Sequence, residues 1–251
     1  MHIKDKILQQ AENGKMLSVL IDPDRIGEKY LSQVIDFSSR CGVDFFLVGG
    51  SIVFSSVEVI VEKIKKACNI PTVVFPGNAM QISGNADALL FISLISGRNP
   101  EYLIGQHVIS APLLKKMDIP VIPVGYILIE NGRTTSVEYM SSTCPIPADK
   151  PEIVTATAIA GEMLGLKAIY LEAGSGACQS VGLNVISEVR KNIEIPLIVG
   201  GGIRNGKEAE TIYQAGADII VAGTAVEHDP GIIEELCLAR NASTKRIENR
   251  R

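Results

Sequence analysis

Short apolar runs alternate with longer stretches of three-and-four periodicity along most of the chain. The runs fall at about residues 16–21, 44–48, 72–75, 88–93, 120–127, 168–172, 196–200 and 218–222. They are near-continuous rather than alternating, the pattern of parallel strands covered on both faces. Between them, Leu31, Val34 and Ile35 share one helical face, as do Val57, Ile60, Val61 and Ile64. Ile153, Ala156, Ala160, Met163 and Leu164 repeat that spacing. So do Ala209, Ile212 and Tyr213, with Gly216 placed as a C-terminal cap. A further helix over 3–12, ended by Gly14, precedes the first strand.

Eight strands with intervening helices in 251 residues match the size of one (β/α)8 barrel. The expected fold is therefore α/β, a single TIM-barrel domain over 1–251 with an extra N-terminal helix. The third connection, PGNAMQISGNAD, holds proline, glycine and asparagine where a helix belongs, so that helix is expected to be altered or missing. Residues 129–150, IENGRTTSVEYMSSTCPIPADK, read as a long loop after the fifth strand, of a length that often carries function. An open doubly wound sheet would want a G-x-G-x-x-G turn after the first strand. None occurs there, and the glycine-rich turns fall late instead. No linker, low-complexity tract or internal repeat is visible.

Composition narrows the setting. A net charge of −4 gives no global attraction to nucleic acid or anionic lipid, and Lys245, Arg246, Arg250 and Arg251 read as a solvated basic tail. The five cysteines are odd in number and none sits at C-x-x-C spacing, which argues against a disulfide framework or a zinc site. A reduced, cytoplasmic location is expected. The N-terminal stretch is charged throughout and lacks a signal-peptide apolar core. The longest apolar run, near 119–129, is interrupted by Pro120 and Pro123 and is too short to span a bilayer, leaving only peripheral membrane contact.

Chemistry in such a barrel belongs at the C-terminal strand ends. The seventh strand ends in IVGGGIRN, and the eighth runs through DIIVAGTAVE. Gly201 and Gly202 expose backbone N–H groups and admit a close ligand, while Gly223 and Thr224 open a short helix. Together, in that order, the two turns point to a phosphate, whose charge meets oriented N–H dipoles. Either turn alone is explained equally well by tight strand–loop packing. The sixth strand ends in IYLEAGSGA. There Glu172 is a candidate general base or a salt-bridged rim carboxylate, and Gly174, Ser175 and Gly176 add N–H and hydroxyl donors. The first strand ends in VLIDPDR. Its Asp22 either holds Mg2+ or, like Asp24, caps the next helix. The second ends in FLVGGS, and because strands one and two are neighbours in a barrel, Ser51 converges on Asp22. His2, His107 and His228 are scattered and suggest no metal cluster. His107 reads as structural in preference to a diphosphate ligand, and Arg98 either pairs with phosphate or is solvated.

Taken together, IDPD at 21–24, LVGGS at 47–51, FPGN at 75–78, YLEAGSGA at 170–177, VGGGIR at 199–204 and VAGTAVE at 221–227 resemble the geranylgeranylglyceryl phosphate synthase family, which includes the related heptaprenylglyceryl phosphate synthases. YLEAGSGA with VGGGIR is specific; GGGIR or AGTA alone occurs in many phosphate-binding barrels. The resemblance implies transfer of a prenyl chain from geranylgeranyl diphosphate, or a similar prenyl diphosphate, to the 3-hydroxyl of sn-glycerol 1-phosphate in ether-lipid synthesis. It implies Mg2+ on Asp22 and Ser51. It implies glycerol phosphate bound by Tyr170, Leu171, Glu172, Ala173, Gly174, Ser175 and Gly176, with Gly201, Gly202, Gly223 and Thr224, and Glu172 as the base. It also suggests that Tyr102 bounds the prenyl groove, although a tyrosine packed on the barrel exterior fits the sequence as well. One departure stands out: some members carry lysine two positions before the magnesium aspartate, where this chain has Leu20. Two other classes compete, a flavin- or sugar-phosphate-binding barrel enzyme and a non-catalytic phosphate-binding module. An isologous dimer or larger homo-oligomer is expected.

Overall fold

A computed structural model of the chain describes residues 3–248. Eight parallel strands close into a barrel in sequence order, with β8 hydrogen-bonded to β1. They are β1 (Met16–Ile21), β2 (Phe45–Val48), β3 (Thr72–Val74), β4 (Ala88–Leu94), β5 (Val121–Leu128), β6 (Ala168–Glu172), β7 (Leu197–Gly200) and β8 (Ile219–Ala222). The helices are α1 (Ile3–Asn13), α2 (Glu28–Cys41), α3 (Val57–Ala67), α4 (Gln106–Met117), α5 (Ser136–Ser141), α6 (Pro151–Met163), α7 (Leu183–Asn192), α8 (Gly206–Ala215), α9 (Thr224–His228) and α10 (Ile232–Glu248). No helix lies between β3 and β4, as the Pro/Gly/Asn content of that segment predicts. A π-helical turn, Glu101–Gly105, leads into α4.

Alternation along each strand divides the core in two. One face packs inside the barrel, with Met16, Phe45, Leu47, Leu90, Tyr126, Tyr170 and Val221 among its members; the other packs against the helices. Ile7 and Ala11 of α1 join the inner cluster beside residues from the strand beginnings, so α1 plugs the N-terminal mouth. The C-terminal mouth is left open for a ligand.

Three aspartates standing immediately before a strand bolt the closed end. Asp44, Asp87 and Asp218 accept from the backbone N–H of Leu17 (2.8 Å), Thr72 (2.8 Å) and Leu197 (3.0 Å), which lie on the preceding strands β1, β3 and β7. Each also pairs with cations: Arg240 at 2.7 Å, Lys65 at 2.8 Å, and Arg190 at 2.7 Å with Lys15 at 3.1 Å. Every carboxylate thereby joins two strands and neutralises its own charge.

Some expectations need correction. The buried face of α6 is Val154, Thr155, Ala158 and Gly161, while Ile153, Met163 and Leu164 are exposed. Close approach is the reason. A Cβ at Gly161 or at Gly125 of β5 would collide with the same Ile95 and Ile169 side chains. Helix and sheet therefore meet through small residues, and the large ones are excluded from the contact. The segment after β5 is not all loop, because Thr135 and Glu138 form a reciprocal capping box that starts α5. Neither Asp22 nor Asp24 caps α2, whose N-cap is Gly27 without a side-chain bond. Asp24 instead accepts from the N–H groups of Phe54 and Ser55, both at 2.7 Å, tying the β1 loop to the β2 loop. His2, Arg250 and Arg251 lie outside the described residues. Lys245 and Arg246 are exposed, and Arg246 pairs with Glu210 at 2.8 Å.

Candidate active site

The period of β6 turns Tyr170 and Glu172 into the barrel and Leu171 and Ala173 out of it, toward the helices. Glu172 is buried, and its Oε1 accepts from the N–H of Gly174 at 2.6 Å. Burial pushes its carboxyl up to about 7, against the pull of the Gly174 N–H and the Tyr170 and Tyr126 hydroxyls. Tyr126 lies on β5 in register with Tyr170, and burial beside Glu172 keeps both phenols neutral by raising their pKa values well above normal. Phe75 stacks on Tyr170 at 5.7 Å and tilts against Tyr126 at 6.1 Å. The result is a carboxylate on an aromatic floor, poised near half-ionisation at neutral pH, which is the condition for a general base.

Above it opens a cavity of about 530 Å³ lined by Leu20, Asp22, Ser51, Tyr126, Glu172, Ser175, Gly202, Thr224 and others. Its wall at 174–179 is held by side chains from both flanking loops. The carbonyls of Ser175 and Gly176 accept from Arg133, those of Ala177 and Cys178 from Arg204, and that of Gln179 from Asn131. Asn131 Oδ1 in turn accepts from the N–H groups of Cys178 and Gln179. With these carbonyls engaged, and Gly174 and Gly176 at φ +99° and +66°, the N–H groups of Ser175 and Gly176 are left without a partner among the described residues. The same is true of Gly202 and Thr224 across the cavity. Unpaired N–H groups converging on one space are an anion cradle.

The opposite wall carries carboxylate and hydroxyl oxygens. Asp22, half-buried at the end of β1, has its pKa raised by burial and lowered by the Asp24 N–H and by Arg25. Arg25 Nε lies 3.4 Å from Asp22, and its guanidinium also reaches Glu227 of α9 at 3.5 Å. Burial raises the Glu227 carboxyl too, against the pull of Arg25. A Cβ on Gly50 would stand 3.2 Å from Asp22 Oδ2, so the turn that carries Ser51 lies directly against this carboxylate. Among the described residues, no group of three His, Cys, Asp or Glu side chains is arranged to hold a metal. One carboxylate and one hydroxyl suit a hard cation that completes its shell with substrate oxygens and water, as Mg2+ does.

Residues 10–240 match the model of the PcrB family. The chain belongs to that family. It is 48% identical over 224 residues to the geranylgeranylglyceryl phosphate synthase of Spirosoma linguale, covering 88% of this chain and 90% of that protein. It is 46% identical over 239 residues to the protein of the same name in Chitinophaga pinensis, covering 94% of each. Among solved structures it is similar to the (S)-3-O-geranylgeranylglyceryl phosphate synthase of Thermoplasma acidophilum in complex with sn-glycerol-1-phosphate. That likeness has a TM-score of 0.91 at 32% identity, over 96% of this chain and 99% of the other.

In this PcrB-family chain the missing third helix leaves space that two smaller cavities occupy. The first, about 60 Å³, shares Gly50, Ser51, Phe75, Tyr126 and Val137 with the main cavity. The second, also about 60 Å³, lies beyond it against Leu89, Phe91, His107 and Leu114. Pro76, Gly77, Ile92, Leu94 and Tyr102 line both, and the Tyr102 hydroxyl donates to the Met140 carbonyl at 3.2 Å. An apolar path thus leads from the Asp22–Ser51 wall past Tyr102.

Other expected residues fall elsewhere. His107 is buried on α4, its Nε2 3.3 Å from Ser93 Oγ and its ring edge-on to Phe91 at 4.4 Å, which is a structural position. Arg98 donates to the carbonyls of Ile95 and Gly97 and is absent from the cavity lining. His228 lines the main cavity without joining a metal-ligand group. Leu20 is in the lining as well, so the wall is apolar two positions before Asp22, and the cation facing Asp22 is Arg25. Sequence reasoning missed Tyr126, Asn131, Arg133, Arg204, Arg25 and Glu227. Only Tyr126 had a usable signal, a tyrosine on the inward face of a strand.

Proposed function

We propose that this protein transfers a prenyl group from geranylgeranyl diphosphate, or a similar prenyl diphosphate, to the 3-hydroxyl of sn-glycerol 1-phosphate, releasing diphosphate in a Mg2+-dependent step of ether-lipid synthesis. The observation that carries this reading is the buried Glu172 carboxylate set between an N–H-lined anion cradle and an apolar path, with its pKa raised by burial. The phosphate of the acceptor sits on the N–H groups of Ser175, Gly176, Gly202 and Thr224. Anchored there, the glycerol directs its far hydroxyl toward Glu172. The hydroxyl oxygen forms a bond to the first prenyl carbon as the carbon–diphosphate bond breaks, the diphosphate leaves with the electron pair, and Glu172 takes the hydroxyl proton. Tyr126 and Tyr170, kept neutral by burial, hold the carboxylate in place and exclude water from it. Asp22 and Ser51 would hold Mg2+, which when bound neutralises the leaving diphosphate.

The prenyl chain is assigned to the path past Tyr102. No described helix is long and apolar enough to cross a membrane, so contact with lipid at product release would be peripheral. Ile104, Val108, Ile109, Leu113 and Met117, all exposed on the π-turn and α4, support self-association. The test is transfer of labelled sn-glycerol 1-phosphate into an extractable lipid when a prenyl diphosphate and Mg2+ are supplied. A flavin-binding barrel would instead be yellow, absorbing at about 450 nm. A non-catalytic module would bind glycerol phosphate without turnover.

A further inference from the structure

Gln81 lies in the irregular segment that replaces the third helix, far from the catalytic strand ends in sequence. Its side chain is buried in a segment without regular secondary structure. Its amide group joins two backbone turns. Oε1 accepts from the N–H of Gly77 at 3.2 Å and of Gly50 at 3.4 Å, and Nε2 donates to the Gly50 carbonyl at 2.9 Å. The two turns are in contact around it. A Cβ on Gly77 would collide with the carbonyls of Gly50 and Ser51, and one on Gly49, which sits at φ +146°, would collide with the Phe75 carbonyl. The segment is fastened at its far side as well, where Gln106 Oε1 accepts from the Ala79 N–H at 2.6 Å.

The Gly50–Ser51 turn presents Ser51 and backs the Asp22 carboxylate. The Phe75–Gly77 turn carries the ring that packs on Tyr170 and Tyr126. The β2–β3 ladder ends with the Phe75 N–H donating to the Val48 carbonyl at 2.9 Å, and beyond it no backbone–backbone bond among the described residues sets the spacing of the two turns. An amide is the side chain that offers a donor and an acceptor from one rigid group, so it satisfies both the N–H and the C=O of Gly50 at once. We infer that Gln81 is a positioning residue for diphosphate binding: it fixes the turn that carries Ser51 against Asp22, without touching the glycerol phosphate cradle. The inference rests on the proposed function, in that it takes the Asp22–Ser51 wall as the place of the diphosphate.

Gln81→Leu removes all three bonds at similar volume. Gln81→Glu keeps both acceptor contacts but sets a second carboxyl oxygen against the Gly50 carbonyl in place of the donor. The experiment measures Kd for inorganic pyrophosphate with Mg2+, Kd for sn-glycerol 1-phosphate, KM for the prenyl diphosphate, and melting temperature. The expected result for Gln81→Leu is pyrophosphate binding weakened about tenfold, with the prenyl diphosphate KM raised in step and glycerol phosphate affinity within about twofold of the parent. Gln81→Glu weakens pyrophosphate binding as well, with glycerol phosphate affinity again within about twofold of the parent, and it carries the comparison if the leucine variant does not fold. Unchanged pyrophosphate binding in a folded variant overturns the inference, as does equal weakening of both ligands in step with a lowered melting temperature. If the unsubstituted protein fails to bind pyrophosphate with Mg2+, the proposed function fails, and this inference with it.

Discussion

Tyr170 and Glu172, two residues apart on β6, converge on the same point over Gly200, where a Cβ would meet both the phenol and the carboxylate Oε2, the latter at 2.9 Å. Glycine in β7 is what leaves room for a buried acid there, and burial is what raises its pKa to about 7. Glu172→Gln keeps the shape and the bond from the Gly174 N–H but removes the basic oxygen. The expected loss in kcat is about 10²–10⁴-fold, with a much smaller change in glycerol phosphate affinity. A base must be ionised, so kcat/KM of the unsubstituted enzyme rises with pH through about 7 and then levels. That inflection should be missing from the variant's profile. A near-normal kcat would reduce Glu172 to a substrate-positioning or rim residue.

Asp22→Asn tests the opposite wall. Asp22 is at a strand mouth and only half-buried, so the fold should survive. Turnover is expected to fall on the order of 10²-fold, with far more Mg2+ needed for half-maximal rate. An unaltered magnesium titration would remove Asp22 from the site.

Much of this arrangement is legible in the amino-acid order, and what is not has a physical reason. Near-continuous apolar runs locate all eight strands, because strands covered on both faces must be apolar throughout. Glu172, Asp22 and the glycine turns stand at strand ends, where one motif suffices to place them. The inward face of α6 was hidden because tight packing through Gly125 and Gly161 selects small residues, while periodicity weights large ones. Arg133, Asn131 and Arg204 were hidden because they act across loops. A polar loop residue that grips a neighbouring loop's carbonyls looks, in sequence, like any solvated one.

The glycines of the cradle differ in what they tolerate. Gly202, at φ +70°, would drive a Cβ into the Gln179 backbone, so a side chain there disturbs the fold itself. A Cβ at Gly223 would make ordinary contact with Leu20 at 3.4 Å. Gly223→Ala is therefore the cleaner probe. Its KM for glycerol phosphate should rise about tenfold with little change for the prenyl diphosphate. The reverse pattern in steady-state kinetics would mean that the two substrates have been assigned to the wrong walls.

Tyr102 lines both small cavities behind the site. Tyr102→Ala joins them and lengthens the apolar path. Longer prenyl diphosphates should become competent donors relative to the parent enzyme, measured as kcat/KM across a series of chain lengths. Identical donor preference would place the end of the path elsewhere.

The most direct measurement is transfer itself. The purified protein is incubated with radiolabelled sn-glycerol 1-phosphate and prenyl diphosphates of several lengths, with and without Mg2+, and the organic phase is counted. The expected result is extractable label that requires both a prenyl diphosphate and Mg2+ and is lost in Glu172→Gln. Absence of extractable label with every donor, in a protein that still binds glycerol phosphate, would contradict prenyl transfer and leave a phosphate-binding barrel of another kind.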